Sequence, residues 1–413
     1  MRRLFLRLRF CWLVAWQLAI WPIVVLFPRD NKKIIFGAWW GNQFSDNPKY
    51  FFRYLRDLNV GFKCYWFGNE CLREKVVAEP GLTFVRKGSW RAHWHVLTAS
   101  WIVSAISVGS DVTDFPTYGK VKQLSFWHGT SFKGLCNIDR KVQLSSNFFR
   151  RLIQRFSVPE FRLATPLYSF CSVSYEDMRF RLPLEEPWSF MPETTIAAGT
   201  ARIDYLIQNA KNVPEINRVR EKIGQLLGLP SRKRWYLYMP TYRQGLSVNY
   251  SLAGSKFLDE INRLLDSQDA IFIEKQHPQV LQHNKTKGGQ VGNVYVVSQE
   301  QAALDIDTQE LLLACDRLVT DYSSCFCDYE VMKRPVIHFA YDYDVYKSQE
   351  RKATQDIEKV GAGPVAYDEK SFLSLLSLKD EELLARKGSQ ADYLVSGEKG
   401  QACETFAKWV GLI

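Results

Sequence analysis

Asp316-Arg-Leu-Val-Thr-Asp321-Tyr322-Ser323-Ser324-Cys-Phe-Cys-Asp328-Tyr-Glu330-Val-Met-Lys-Arg334-Pro335-Val-Ile-His-Phe339 is the stretch that decides the fold. Leu318 to Thr320 is a short apolar run of the kind that forms a buried strand. Asp-Tyr-Ser-Ser is a tight turn that opens a helix, and Pro335 to Phe339 reads as the next strand. Strand, turn, helix and strand in this order make one unit of a parallel α/β sheet. The N–H groups of the helix start, joined by the hydroxyls of Ser323 and Ser324, offer a pocket for a phosphate or diphosphate. The same two serines also suit a plain helix cap, so the other strand ends carry the weight.

Two other runs end in the same way. Trp235 to Met239 is a strand that enters Pro240-Thr241-Tyr242-Arg243-Gln-Gly245, and Ile271 to Lys275 is a strand that enters Gln276-His277-Pro278. In open α/β sheets ligands gather outside the carboxyl ends of the strands. Thr241, Arg243, His277, Ser323 and Ser324 are therefore expected to line one crevice and grip a diphosphate. A fourth turn lies in the first half, where Val121 to Trp127 stops at His128-Gly129-Thr130-Ser131, with Lys133 just beyond. Histidine titrates nearest to working pH, which suits His128 at a strand end to proton transfer; a structural loop role is the alternative.

Together these motifs resemble the CDP-glycerol glycerophosphotransferase family, the primases and polymerases of teichoic acids and their relatives in capsule synthesis. The resemblance runs in order through Ser45-Asp46-Asn47-Pro48-Lys49-Tyr50, Trp127-His128-Gly129-Thr130, Gly199-Thr-Ala-Arg202-Ile-Asp204, Pro240-Thr241-Tyr242-Arg243, His277-Pro278, Glu310-Leu-Leu and Asp321-Tyr-Ser-Ser. The chain departs from the family pattern at Ser131, Ala201, Tyr242 and Lys275-Gln276.

The resemblance implies a GT-B-like architecture, two Rossmann-like parallel-sheet domains facing a cleft, with the nucleotide held mostly by the C-terminal one. It implies a CDP-polyol donor, CDP-glycerol foremost, and a hydroxyl of a lipid-linked or polymer acceptor attacking the phosphorus nearer the polyol, with CMP leaving. His128 and His277 would be catalytic, with His128 as general base. Thr130, Lys133, Arg202, Asp204, Thr241, Arg243, Asp321, Ser323 and Ser324 would bind substrate. Arg202 and Asp204 also suit an inter-domain ion pair, and Asn47-Pro48 also suits a helix start. No carboxylate cluster suggests a held metal ion, and no cofactor is expected. The same fold would serve a glycosyltransferase using a sugar nucleotide, and a non-catalytic membrane-anchored scaffold is the reading from another class.

The 413 residues suit two to three domains, and 46% hydrophobic with 24% charged residues is a globular composition. The nine cysteines have no metal-ligand spacing, so they read as core thiols of a reducing compartment. The net charge of +10 is unevenly placed: residues 1–33 carry seven basic side chains and one acidic. A nucleic-acid binder would spread its basic residues over a folded surface with aromatics between them, so no nucleic-acid partner is expected. The uncharged run from Phe10 to Phe27 lies at the lower edge of the roughly 17–25 residues that cross a bilayer, and it holds three Trp. Basic residues flank it on both sides, Arg29, Lys32 and Lys33 among them. An interfacial or re-entrant anchor kinked at Pro22, at the cytoplasmic face of the cell membrane, fits better than a single span. The basic amphipathic stretch 140–156 is either a surface helix or a second site for anionic headgroups. The division expected is a membrane-anchoring segment at 1–32, an acceptor domain at 33–205 and a CDP-polyol-binding domain at 206–413, with a helix near 400–410 packing back on the first.

Overall fold

The computed structural model of the protein describes residues 22–113, 120–126, 195–241, 243, 250–277, 288–298, 306–346 and 356–413, with short pieces at 15–16, 19–20, 115, 167–168, 170–172 and 300–302. His128, Thr130, Lys133 and the stretch 140–156 lie outside the described residues.

The apolar runs are strands. In the first half β1 (Asp30–Gly37), β2 (Lys63–Gly68), β3 (Leu82–Arg86), β4 (Ala99–Ser104), β5 (Lys122–Ser125) and β6 (Leu167–Tyr168) form a parallel sheet in the order β3-β2-β1-β4-β5-β6. β7 (Phe170–Ser172) and β8 (Thr195–Ala197) make a separate parallel pair. In the second half β9 (Arg234–Met239), β10 (Ala270–Glu274), β11 (Gly289–Val291), β12 (Val294–Val296), β13 (Arg317–Thr320), β14 (Val336–Phe339) and β15 (Val365–Ala366) lie in the order β11-β12-β10-β9-β13-β14-β15. Among the described strand pairs only β11–β12 is antiparallel. β10, β13 and β14 are buried at every residue. Trp235, Leu237, Ile271 and Leu318 pack into one core, and Tyr236, Tyr238, Phe272 and Val319 into another. Strands covered on both faces need no alternation of polar and apolar residues, which is why they read as continuous hydrophobic runs.

In each sheet the first strand sits in the interior and the chain later crosses to its other side, from β1 to β4 and from β9 to β13. Those reversals are where a parallel sheet opens a crevice outside its carboxyl ends. The helices that matter to these ends are α1 (Asp46–Asp57), α2 (Trp90–Thr98), α3 (Ala201–Asn209), α4 (Thr308–Ala314), α5 (Cys325–Glu330) and α6 (Ala402–Trp409). The last of them is the helix expected near 400–410. Its Cys403, Phe406 and Ala407 join the core of Phe36, Phe51 and Trp66, and the Phe406 ring meets Phe126 edge-on at 5.1 Å. By packing, α6 therefore belongs to the first half, although a cut at residue 206 groups it with the second.

Residues 22–26 are helical, with Val24 buried but Ile23 and Leu26 exposed. Phe27 packs edge-on against Trp94 of α2 at 5.3 Å. Arg29 donates to the carbonyls of Val96 at 2.5 Å and Ala99 at 3.2 Å, where α2 ends, and burial lowers its pKa to about 10. Lys33 donates to Thr98 Oγ1 at 2.6 Å and lies over the Tyr65 ring. The basic flank expected after the apolar run is thus largely spent inside the fold: Arg29 and Lys33 neutralise the carbonyl end of α2, and Lys32 alone of the three stays exposed. Among the described residues no helix is long and apolar enough to cross a membrane. Cys64, Cys315, Cys325, Cys327 and Cys403 are buried thiols, none of them in a disulfide.

Candidate active site

β9 and β13 pair with Met239 opposite Thr320, which brings the turns that follow them side by side. Asp321 ties these turns together. Its buried carboxylate accepts the Thr241 amide at 2.9 and 3.1 Å, the Tyr322 amide at 2.5 Å, the Ser323 amide at 3.2 Å and Arg243 Nη1 at 2.5 Å. Two of the amides expected to cradle a phosphate therefore already donate to Asp321. Asp321 thereby staples the turn.

Arg243 is also placed differently from expectation. Its side chain is wholly buried, donating through Nε and Nη2 to both oxygens of Asp342 at 2.9 Å and through Nη1 to Asp321 and to the Thr241 carbonyl at 2.6 Å. The rings of Tyr322, Tyr341 and Tyr346 lie 5.1–5.5 Å from the guanidinium. Burial works against its charge, but Asp321 and Asp342 outweigh that and raise its pKa. A fork that already holds two carboxylates has little left for a diphosphate. Arg243 fixes the geometry of the crevice from behind.

Ser323 and Ser324 stand half-buried at the opening of α5. His277, also half-buried, follows β10 by three residues, and its ring faces that of Trp39 edge-on with centroids 6.5 Å apart. Trp39 comes from the loop after β1, so the carboxyl ends of the two sheets meet at this pair. That loop is strained: Trp39, Trp40 and Gly41 have φ of +48°, +57° and +79° in succession. Such backbone costs energy and persists only where its surroundings enforce it. Asp111 enforces it, accepting the Trp40 amide at 3.0 Å and the Ile106 amide at 2.7 Å and so joining the loops after β1 and β4. Nothing in the sequence pattern marks Trp39, because its partner is 238 positions away.

The Asp-Asn-Pro-Lys-Tyr motif opens α1 and forms a joint between the halves. Asp46 accepts Trp39 Nε1 at 3.0 Å and Arg202 Nη1 at 2.8 Å, while Arg202 also pairs with Asp328 of α5 at 2.8 Å. The Asn47 side chain accepts the Arg202 amide at 2.9 Å. Lys49 and Tyr50 both bind Asp307, the residue before α4, at 2.8 and 2.7 Å. Burial favours a neutral Asp307, but Lys49 overrides it and holds the carboxyl well below its usual range. Arg202, expected at the substrate or in an ion pair with Asp204, is buried between Asp46 of α1 and Asp328 of α5 and does not pair with Asp204. Asp204 accepts the amides of Ala402 and Cys403 at 2.9 and 2.8 Å and so caps α6.

A teichoic acid poly(glycerol phosphate) polymerase of Bacillus spizizenii is 25% identical over 403 residues, covering 92% of this chain and 93% of its own. A teichoic acid glycerol-phosphate transferase of Staphylococcus aureus is 24% identical, with 92% and 94% covered. The structure of the wall teichoic acid polymerase TagF superposes with a TM-score of 0.73 at 22% identity over 93% of this chain and 89% of that one, a likeness that fixes the GT-B-like fold. The family model of the CDP-Glycerol:Poly(glycerophosphate) glycerophosphotransferases matches residues 20–405. With that match spanning nearly the whole chain, the protein belongs to this family and is an enzyme that transfers glycerol phosphate from CDP-glycerol.

Proposed function

We propose that the protein builds a glycerol phosphate polymer of the teichoic acid type at a membrane surface. A hydroxyl of a lipid-linked or polymer acceptor attacks the phosphorus nearer glycerol in CDP-glycerol, a new phosphodiester forms and CMP leaves. The observation that supports this best is the meeting of His277 with Trp39: it brings the crevice of the nucleotide-type sheet against the strand ends of the other sheet, in a chain of this family. The reacting phosphorus already carries negative charge, so catalysis consists of positioning, charge neutralisation and removal of the acceptor proton. His128 takes that proton, with Thr130 and Lys133 beside it in sequence on the acceptor side. His277, Ser323 and Ser324 face the diphosphate and the departing CMP, on a frame held by Thr241, Asp321 and Arg243. The purified protein, given membranes, is expected to consume CDP-glycerol and move labelled glycerol into the lipid or polymer fraction while leaving UDP-sugars intact. Turnover of a UDP-sugar with CDP-glycerol untouched would replace this reading with the glycosyltransferase.

The membrane contact is assigned to the first 28 residues together with α2. Leu26 and Trp90 are 81% and 73% exposed, and Ile23 and Trp94 are about half exposed, apolar side chains that a membrane surface would cover. Aromatic side chains of this kind settle at the headgroup level of a bilayer. Because Arg29 and Lys33 are built into the fold, truncation through residue 33 would damage β1. The cleaner test is the variant Leu26→Ser, Trp90→Ser, Trp94→Ser. It is expected to leave the membrane pellet and retain turnover with a soluble acceptor analogue. Unchanged sedimentation would move the anchor elsewhere, residues 140–156 first.

A further inference from the structure

Lys275 is a buried ammonium that makes no ion pair among the described residues. It directly follows β10, is 4% exposed, and its Nζ makes one hydrogen bond, to Thr308 Oγ1 at 3.3 Å. Among the described residues no carboxylate pairs with it. The nearest acidic influence is Asp307, whose oxygens are already taken by Lys49, Tyr50 and the amides of Gln309 and Glu310. The other titratable neighbour is the Cys325 thiol at the start of α5, whose pKa burial raises to about 11, so it brings no charge near neutral pH. A buried cation with a single neutral acceptor is costly, and a fold tolerates one where something else completes it.

The position says what that is. Lys275 is two residues from His277, Thr308 opens α4 on the joint between the halves, and Cys325 follows Ser323 and Ser324. The ammonium therefore lies among the turns that form the crevice, where the Arg243 guanidinium is consumed by Asp321 and Asp342. We infer that Lys275 supplies the counter-charge for the donor's diphosphate, the substrate anion completing an ammonium that the fold leaves unpaired. This rests on the reading of the donor as a nucleoside diphosphate derivative. Burial lowers the pKa of Lys275 to about 8, so in the free enzyme it loses its proton just above neutrality, and donor binding at higher pH must take a proton up.

The test is Lys275→Met, which keeps the length of the side chain and removes the charge. Without ligand the variant is expected to melt no lower than wild type, because an uncompensated buried charge has gone. The KM for CDP-glycerol should rise roughly 10- to 100-fold, the range for losing a hydrogen-bonded charge partner. Lys275→Arg should recover much of that affinity. The wild-type KM should climb as pH rises above about 8, and that climb should be absent from the Arg variant. A Met variant with wild-type KM, or one that melts clearly below wild type without ligand, would overturn the assignment alone, since the fold would then be using the ammonium itself. A wild-type protein indifferent to CDP-glycerol would bring down the donor reading and this assignment with it.

Discussion

His128→Ala is expected to lower turnover by about 10²- to 10⁴-fold while leaving the apparent affinity for CDP-glycerol nearly unchanged, the usual size of a lost general base. The expectation follows from the sheet order. β5 is parallel to β4 and β1 and ends at Ser125, on the same edge from which β1 sends out the loop carrying Trp39. His128 follows three residues later in the chain. Its proposed duty concerns the acceptor proton and not the nucleotide, so kcat should fall and donor KM should not. Steady-state kinetics with a fixed acceptor read both quantities. A variant that keeps wild-type kcat would remove the proposed base, and one that loses only donor affinity would move His128 to the nucleotide side.

Arg243→Ala is expected to be the most damaging single change to the fold, costing about 3–5 kcal/mol because two carboxylates, Asp321 and Asp342, would be left buried without their cation. That is a large share of the roughly 5–15 kcal/mol that holds a typical domain together. Arg243→Lys should rescue little, since a single ammonium cannot reproduce the two-pronged contact with Asp342. Denaturant unfolding of the variants measures this. Were Arg243 a diphosphate contact instead, the Ala variant would unfold like wild type and lose only donor affinity.

The contrast between these two residues shows what a sequence can carry. The strands were legible because burial on both faces writes itself locally: Ala270–Glu274 and Val336–Phe339 are apolar runs with turn residues directly behind them. The order of strand and helix then implied parallel sheets, and the strand ends marked the crevice. The partners of charged residues leave no such local trace. Arg243 reads as an exposed guanidinium in a turn, and only the folding of Asp342 and three tyrosines around it, about a hundred positions on, turns it into a buried brace. Arg202 is the same case, with Asp46 and Asp328 arriving from either side of the chain. Asp204, set beside Arg202 in the motif, points instead to the helix cap at Ala402. The basic flank after the apolar run is a related case, since counting charges cannot tell that Arg29 and Lys33 are absorbed by the end of a helix some 65 residues further along.

The identity of the bond that breaks tests the central claim most directly. Phosphorus NMR of a reaction containing CDP-glycerol, acceptor and enzyme should show CMP and a new phosphodiester appearing together in equal amounts, because the hydroxyl attacks the phosphorus nearer glycerol. Release of CDP in place of CMP would mean that the glycerol carbon is attacked, as in a glycosyltransferase-like reaction, and would contradict the account.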